Sequence, residues 1–183
     1  PIILSLMLTS LAIGTIITMS STHWLMAWVG LELNTLSIIP IITKHHYPRS
    51  TEATTKYFLT QAAASAMLLF ASTMNAWYTG TWDISQLTSQ PACVMLTMAL
   101  SMKLGLAPLH FWLPEVLQGV SLSTALIITT WQKLAPMALM FLTHNTLNPM
   151  ILMTMGLLST LVGGWGGLNQ TQTRKIMAFS SIA

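Results

Sequence analysis

The sequence predicts an all-α protein, a polytopic transmembrane helical bundle with one broken helix near residues 106–114. Of its 183 residues, 53% are hydrophobic and only 6% are charged. Soluble domains carry about 25% charged residues, so this composition cannot build a surface that faces water. Apolar runs of about 20 residues, each long enough to cross a membrane once, alternate with short polar segments.

Three apolar runs predict the first three helices. The first two are separated by a short polar connection that ends at His23. A longer polar loop, residues 43–56, contains Pro48 and separates the second helix from the third. We expect these helices over residues 2–19, 24–42 and 57–77.

The fourth apolar run is interrupted near its middle. Each proline inside it removes a backbone donor and crowds the preceding turn. We therefore expect a broken helix whose first half covers about residues 92–106 and whose second half extends to about residue 118. The interrupting residues are Gly105, Pro108 and Pro114.

Two more complete helices are predicted over residues 122–142 and 150–168, and a seventh begins near Arg174. The sequence continues for only about ten residues into that last segment, whereas a crossing needs about twenty. We therefore expect the chain to be a part of a longer protein.

The charges in the predicted loops are distributed unequally. If the helices alternate in direction, all five loop cations lie on one side of the membrane, and the other side receives only Asp83 and histidines. The positive-inside rule places such a cation-rich side in the cytoplasm or the mitochondrial matrix. The loop cations are Lys44, Arg49, Lys56, Arg174 and Lys175.

Several functional classes are excluded by what the sequence lacks. Cys93 is the only cysteine, so neither an intrachain disulfide nor a cysteine metal site can form. No phosphate-binding glycine loop, zinc motif or haem-attachment spacing occurs. No basic run with interleaved aromatics predicts nucleic-acid binding. Redox chemistry within this chain is therefore not expected.

Three ionisable residues lie inside predicted helices: Glu32, Lys103 and Lys133. At 1.5 Å per residue they sit roughly 12 to 17 Å from a membrane boundary, too deep for a lysine to reach the headgroups. Each central charge costs about 2.5 to 3.5 kcal/mol. A purely structural ion pair is the alternative, but such pairs add little stability and would leave one lysine without an acid.

These groups suit proton exchange. Burial disfavours the charged form of a lysine, whereas a nearby carboxylate favours it. Small changes in the separation of Glu32 from Lys103 would therefore toggle proton retention and release. His110 lies in the predicted break, where it either relays protons or caps a freed carbonyl. Glu115 is expected at the cation-rich boundary.

The segment Lys103-Leu-Gly-Leu-Ala-Pro-Leu-His-Phe-Trp-Leu-Pro-Glu115 resembles the antiporter-like membrane subunits of respiratory complex I. The resemblance to animal mitochondrial members extends through Trp28-Val-Gly-Leu-Glu-Leu-Asn34, Lys56-Tyr-Phe-Leu-Thr-Gln-Ala62 and Trp131-Gln-Lys-Leu-Ala-Pro136. It covers the whole chain.

The resemblance implies a subunit of a proton-pumping NADH:ubiquinone oxidoreductase in the mitochondrial inner membrane. Glu32, Lys103 and Lys133 match the family's proton-relaying residues. NADH, FMN, iron–sulfur clusters and ubiquinone would be bound by partner subunits, and none in this chain. Membrane-arm subunits and lipid, including cardiolipin, are the implied partners. The matrix side would carry loops 43–56 and 169–175.

The family's core consists of two inverted five-helix units. By the same resemblance, residues 1–142 form the first unit, and residues 143–183 begin a second one whose ionisable site lies further along the chain. Two other functions stay open: a stand-alone cation/proton antiporter, or a structural spacer of the membrane arm.

Overall fold

The structure, a computed structural model, describes residues 1–183 and contains α-helices, two short 3-10 turns and no strands. The 3-10 turns lie at Ile84–Gln86 and Trp131–Lys133. The helices are α1 (Ile2–Ser20), α2 (Trp24–Ile42), α3 (Pro48–Thr79), α4 (Gln90–Leu104), α5 (Trp112–Gln118), α6 (Leu122–Thr130), α7 (Leu134–Leu142), α8 (Pro149–Leu168) and α9 (Thr173–Ile182).

Five segments are long and apolar enough to cross a membrane: α1, α2, α3, the combined segment Leu122–Leu142, and α8. Helices α4 and α5 have 15 and 7 residues, so neither reaches across alone. The predicted all-α transmembrane bundle is confirmed.

Together, α4 and α5 run antiparallel to α3 over most of its length. As the chain proceeds from the start of α4 through the break to α5, its residues contact positions of α3 that lie progressively closer to the start of α3. The broken helix therefore runs alongside α3 from Asn75 to Lys56 and forms a discontinuous crossing. The contacting pairs are Thr88 with Asn75, Lys103 with Gln61, Trp112 with Tyr57, and Glu115 with Lys56.

Helix α3 begins at Pro48, nine residues before the predicted start, so the prediction of a long polar loop was wrong. Proline suits the first helical position because its missing N–H needs no partner there. Glu52 and Lys56 lie one turn apart and form an ion pair of 2.9 Å, which supports this polar first part. The connection shrinks to residues 43–47.

The predicted break is confirmed, but its boundaries differ. Helix α4 ends at Gly105, which adopts φ 78°, and the irregular segment continues to Phe111. Pro108 lies within this segment. Pro114 was wrongly assigned to the break: it lies in the first turn of α5, where backbone N–H groups have no helical partner.

The helix predicted over residues 122–142 is interrupted by a 3-10 turn at Trp131–Lys133. Pro136 follows closely and cannot donate to the carbonyl of Gln132, four residues earlier. The loss of that hydrogen bond explains why the helix is irregular at Lys133. The predicted span of residues 122–142 is confirmed as one crossing, and the 3-10 turn inside it was not predicted.

The loops separate into two ends of the bundle. At one end, Arg174 Nη1 donates to the Gln118 carbonyl at 3.3 Å, which joins the loop before α9 to the end of α5. At the other end, Ile84 N–H donates to the Thr22 carbonyl, and His23 stacks on Trp82. We call the first the cationic end, because it contains Lys44, Arg49, Lys56, Arg174 and Lys175.

The buried apolar residues form two separate clusters. The cluster toward the cationic end contains Ile38, Tyr57 and Leu113, and the cluster toward the opposite end contains Trp24 and Leu96. Helices α2 and α3, the broken helix α4–α5 and the α6–α7 segment each contribute to both clusters. In each of them, buried or half-buried polar residues lie between the two contributing parts. A polar layer thus crosses the middle of the bundle.

Helices α1 and α2 approach closely at Gly14 and Gly30. A Cβ atom added to Gly14 would lie 2.5 Å from Asn34 Oδ1 and 3.0 Å from the Gly30 carbonyl oxygen. Small residues allow such close backbone packing between membrane helices.

Replacing Gly14 by alanine should lower the free energy of unfolding by about 1–3 kcal/mol, because the added methyl group overpacks this crossing. Gly164→Ala is the matched control, since no atom lies within 4 Å of its added Cβ. Thermal unfolding of the detergent-solubilised protein measures both variants. Equal melting temperatures for the two would contradict the close packing described here.

Candidate functional site

The polar layer contains both predicted lysines. It is formed by side chains from α2, α3, α4 and the segment between α6 and α7, which are otherwise apolar at this depth. Buried polar groups are costly unless they find partners, so their concentration in one layer is informative. The layer includes Asn34, Thr35, Gln61, Ser101, Lys103, Gln132 and Lys133.

Lys103 lies in the last turn of α4 and is only 5% exposed. Its Nζ donates to Gln61 Oε1 at 3.5 Å. Gly105 ends the helix two residues later, so the ammonium also lies near the carbonyl-rich end of α4, which favours a cation. The helix break therefore places Lys103 at a helix terminus in the interior.

Lys133 lies in the 3-10 turn and is half-buried. Its Nζ donates to the Ser181 carbonyl of α9 at 2.6 Å. Lys133 and Lys103 both line one small cavity of about 10 Å³, roughly the room that one water needs. The structure thus brings two of the predicted residues together.

The same cavity is lined by amide side chains. Asn34 Oδ1 and Gln132 Nε2 are buried and make no hydrogen bond within the protein. Asn34 Oδ1 faces Gly14 of α1, so the unused amide donor of Gln132 is the group closer in sequence to a lysine of the cavity. This arrangement can carry a proton between the amines only through a small polar molecule or a side-chain movement, since the amines bond to different partners.

Glu32 lies beside the cavity rather than in its wall. Its Oε1 is buried and has no hydrogen-bond partner. No ammonium comes within 4.0 Å of its carboxylate, because the ion pairs in the chain all involve Lys56. The adjacent residue Leu31 lines the cavity together with Lys103. The acid is near the lysine without contacting it.

His110 lies in the irregular segment, as predicted, and is 8% exposed. Its ring stacks on Phe111, and its Nδ1 is buried without a partner. The ring caps no freed carbonyl in this structure, and it does not line the lysine cavity. The indole of Trp112 instead donates to the Met102 carbonyl at 3.0 Å.

Three residues of the site were not predicted from the sequence: Gln61 and the aromatic pair of Tyr57 and Trp112. Two signals could have indicated Gln61, which is an amide within an apolar run and lies in the segment 56–62 that resembles the family. Tyr57 and Trp112 meet edge to face with ring centroids 5.8 Å apart. Both also line the lysine cavity.

A larger polar cavity of about 640 Å³ lies at the cationic end. We call it the polar basin, and it is lined by Arg49, Glu52, Lys56, Glu115, Gln118 and Arg174, among others. Lys56 pairs with Glu115 at 3.1 Å, so the predicted position of Glu115 at the cation-rich boundary is confirmed.

The polar basin and the lysine cavity are neighbours. Lys56 and Glu115 line the basin, whereas Tyr57 and Trp112, one residue and one helical turn away, line the cavity. The aromatic pair therefore lies between the exposed basin and the buried lysines. No group of three His, Cys, Asp or Glu side chains that could bind a metal occurs in the chain.

Gly105→Ala should disturb the site because Gly105 needs a positive φ and because the added Cβ would collide with Leu113. Gly80 has a similar φ of 72°, but no atom lies within 4 Å of its added Cβ. We expect Gly105→Ala to cost about 1–3 kcal/mol more stability than Gly80→Ala, measured by thermal unfolding. Equal losses would show that packing at the break does not matter.

The chain is similar to proteins of one family along nearly all of its length. The model of the family "NADH:quinone oxidoreductase/Mrp antiporter, TM" matches residues 21–183. NADH-ubiquinone oxidoreductase chain 2 of Xenopus laevis is 64% identical over 183 residues, and that of Salmo salar is 63% identical. These alignments cover 100% of this chain but 53% and 52% of the two relatives.

Two solved structures are similar to this chain in fold. A chain of respiratory complex I from Thermus thermophilus with bound aureothin superposes with a TM-score of 0.93 at 30% identity, over 100% of this chain and 43% of that one. A chain of the Mrp complex from Dietzia has a TM-score of 0.88 at 18% identity, over 96% of this chain and 36% of that one, which shows a shared fold.

The chain spans about half the length of the curated relatives it matches. The family resemblance that the lysine and glutamate segments indicated is confirmed, since the family model covers those segments and the relatives align with the complete chain. The chain belongs to the NADH:quinone oxidoreductase/Mrp antiporter transmembrane family.

Proposed function

We propose that the chain is part of a core membrane-arm subunit of a proton-pumping NADH:ubiquinone oxidoreductase. In this proposal it relays protons through Glu32, Lys103 and Lys133, driven by quinone reduction in other subunits. The observation that carries the proposal is the buried cavity in the polar layer, which two lysines from separate helices line together.

The chemistry of the relay follows from the surroundings of the lysines. An ammonium inside a membrane is favoured by nearby carbonyls, amides and carboxylates and disfavoured by desolvation. At an effective dielectric of 20, moving a carboxylate from about 4 to 8 Å from an ammonium removes roughly 2 kcal/mol. The carboxylate of Glu32 lies outside contact distance of Lys103. If it moved closer, it would favour the ammonium form, so Lys103 would keep its proton.

Proton access is proposed to come from the polar basin. The basin supplies exposed charged groups at Lys56 and Glu115, and the pair Tyr57–Trp112 separates it from the lysine cavity. A rotation of either ring would join the two spaces. His110 is the remaining candidate relay residue, because its buried Nδ1 has no partner within the protein.

The assembly and location are proposals of the same kind. Residues 1–142 are proposed to form one five-helix unit and residues 143–183 to begin a second. The positive-inside rule supports a matrix location for the cation-bearing segments 43–56 and 169–175, which include the first turns of α3 and α9. The animal relatives support the mitochondrial inner membrane. Partners would be other membrane-arm subunits and lipid, including cardiolipin. NADH, FMN, iron–sulfur clusters and ubiquinone would be bound in other subunits.

A stand-alone cation/proton antiporter is the second candidate, because the matching family model includes Mrp antiporters. The two candidates differ in what drives transport. An antiporter would exchange protons for cations in vesicles that contain only the full-length protein, whereas the proposed subunit would need quinone reduction by its complex. A structural spacer would need neither lysine for pumping.

Lys103→Met and Glu32→Gln, each in the full-length protein within its complex, should cut proton transfer through this subunit by about tenfold or more, because each removes one exchangeable group. Fewer protons should then be pumped per electron, while assembly is retained. The measurement is the ratio of protons pumped to electrons transferred in reconstituted vesicles. Lys175→Met is the matched control, since Lys175 lines neither the basin nor the lysine cavity.

Two results would contradict the relay. A normal ratio of protons to electrons in both variants would exclude it. Failed assembly of both variants, with intact assembly of Lys175→Met, would instead favour a structural role for the buried charges.

A further inference from the structure

A second large cavity, of about 860 Å³, opens at the cationic end. It lies between the first turns of α1, the end of α2, and the first turns of α3 and α6. We call it the boundary groove. Arg49 and Arg174 border both this groove and the polar basin, but the remaining walls differ in chemistry.

The polar wall of the groove is cationic and has no compensating acid. Lys44, Arg49 and Arg174 line it, whereas none of the four acidic residues of the chain does. Glu52 and Glu115 face the basin, where both pair with Lys56. Arg49 and Arg174 also face the acids of the basin, whereas Lys44 lines the groove alone and has no acidic partner there.

Backbone and hydroxyl donors add to this charge. The first turn of α3, at Pro48, Arg49 and Ser50, lines the groove together with the first turn of α6. Pro48 has no N–H, and Ser121 Oγ already accepts the Thr124 N–H of α6. The N–H groups of Arg49 and Ser50 have no helical partner, and the dipole of α3 favours an anion beside them. Ser121 and Ser123 bring hydroxyl groups to the same wall.

The opposite wall is apolar and belongs to membrane-crossing helices. Leu4 and Leu8 of α1 lie there with Ile41 of α2 and Ile127 of α6. Leu4 is 38% exposed and Leu8 is 42% exposed, so this wall is not closed by the protein. A ligand that fills the groove must carry an anionic part and an apolar part side by side.

We propose that the boundary groove binds an anionic phospholipid. Its phosphate would contact Lys44, Arg49 and the first turn of α3, and its acyl chains would lie along Leu4 and Leu8. A free phosphate would use only the cationic wall, and an acidic protein segment would leave the apolar wall uncovered. The proposal stands independently of the proton relay, because no groove residue belongs to the lysine cavity.

The test compares two lysines of the cationic end. Lys44→Gln removes a cation of the groove, while Lys175→Gln removes one that lines neither cavity. Each full-length variant is isolated within its complex, stripped with detergent and re-supplied with phosphatidylcholine vesicles with or without cardiolipin. Bound lipid is counted by mass spectrometry. Lys44→Gln should weaken retention of the anionic lipid about fivefold, and Lys175→Gln should leave it unchanged.

A second variant distinguishes the sources of phosphate. Leu8→Asn keeps every cation but makes the apolar wall polar, so it should also weaken retention of cardiolipin while leaving binding of inorganic phosphate unchanged. Equal retention of anionic lipid by the wild type and by both Lys44→Gln and Leu8→Asn would overturn the proposal. So would inorganic phosphate that displaces cardiolipin completely at millimolar concentration, or a protein segment cross-linked to Lys44 in the assembled complex.

Discussion

The structure depends on one physical constraint: charged and amide side chains must be kept stable at a depth where neither water nor headgroups reach them. An isolated central charge costs several kcal/mol, so a bundle tolerates it only where other polar groups face it. The protein meets this constraint with a single polar layer between two apolar clusters. The clusters hold the helices together, and the layer contains the lysines and amides of the candidate site.

The broken helix makes the layer possible. Its first half ends at Gly105, which leaves Lys103 at a helix terminus in the bundle interior rather than along a regular helix. The freed backbone is satisfied locally: the Ser101 carbonyl accepts two N–H groups, and the Met102 carbonyl accepts the indole of Trp112. Irregular backbone is tolerated at membrane depth only when it is protected in this way.

Two neighbouring cavities with different linings, the polar basin and the boundary groove, open at the cationic end. In the polar basin, the acids Glu52 and Glu115 balance Lys56, which suits the passage of protons and water. On the boundary groove no acid is present, and the wall beyond the cations is apolar. The loop cations from which the positive-inside rule predicts the orientation also line the groove that we propose to bind an anionic lipid.

Much of the site could be predicted because membrane burial leaves few explanations for a charge. Glu32, Lys103 and Lys133 are recognisable from their distance to the nearest loop, and the break follows from Gly105 and Pro108. The start of α3 was not predicted because a helix can extend beyond its membrane-spanning part, where polar residues face water and need not be desolvated.

Other features need three-dimensional information. The contact of Gln61 with Lys103 joins residues from different helices, and sequence periodicity cannot pair them. The role of Trp112 as a carbonyl cap depends on the path of the irregular segment. The 3-10 turn at Lys133 was detectable in principle, because Pro136 frees the carbonyl of residue 132.

If protons pass between the buried acid and the two amines along a polar route, an experimental structure of the complete assembly with ordered waters resolved will show that route. Waters are expected to bond to Nζ of both Lys103 and Lys133 and to continue to the carboxylate of Glu32. Side chains that reach the headgroups, or a dry apolar barrier between the two amines, would contradict it.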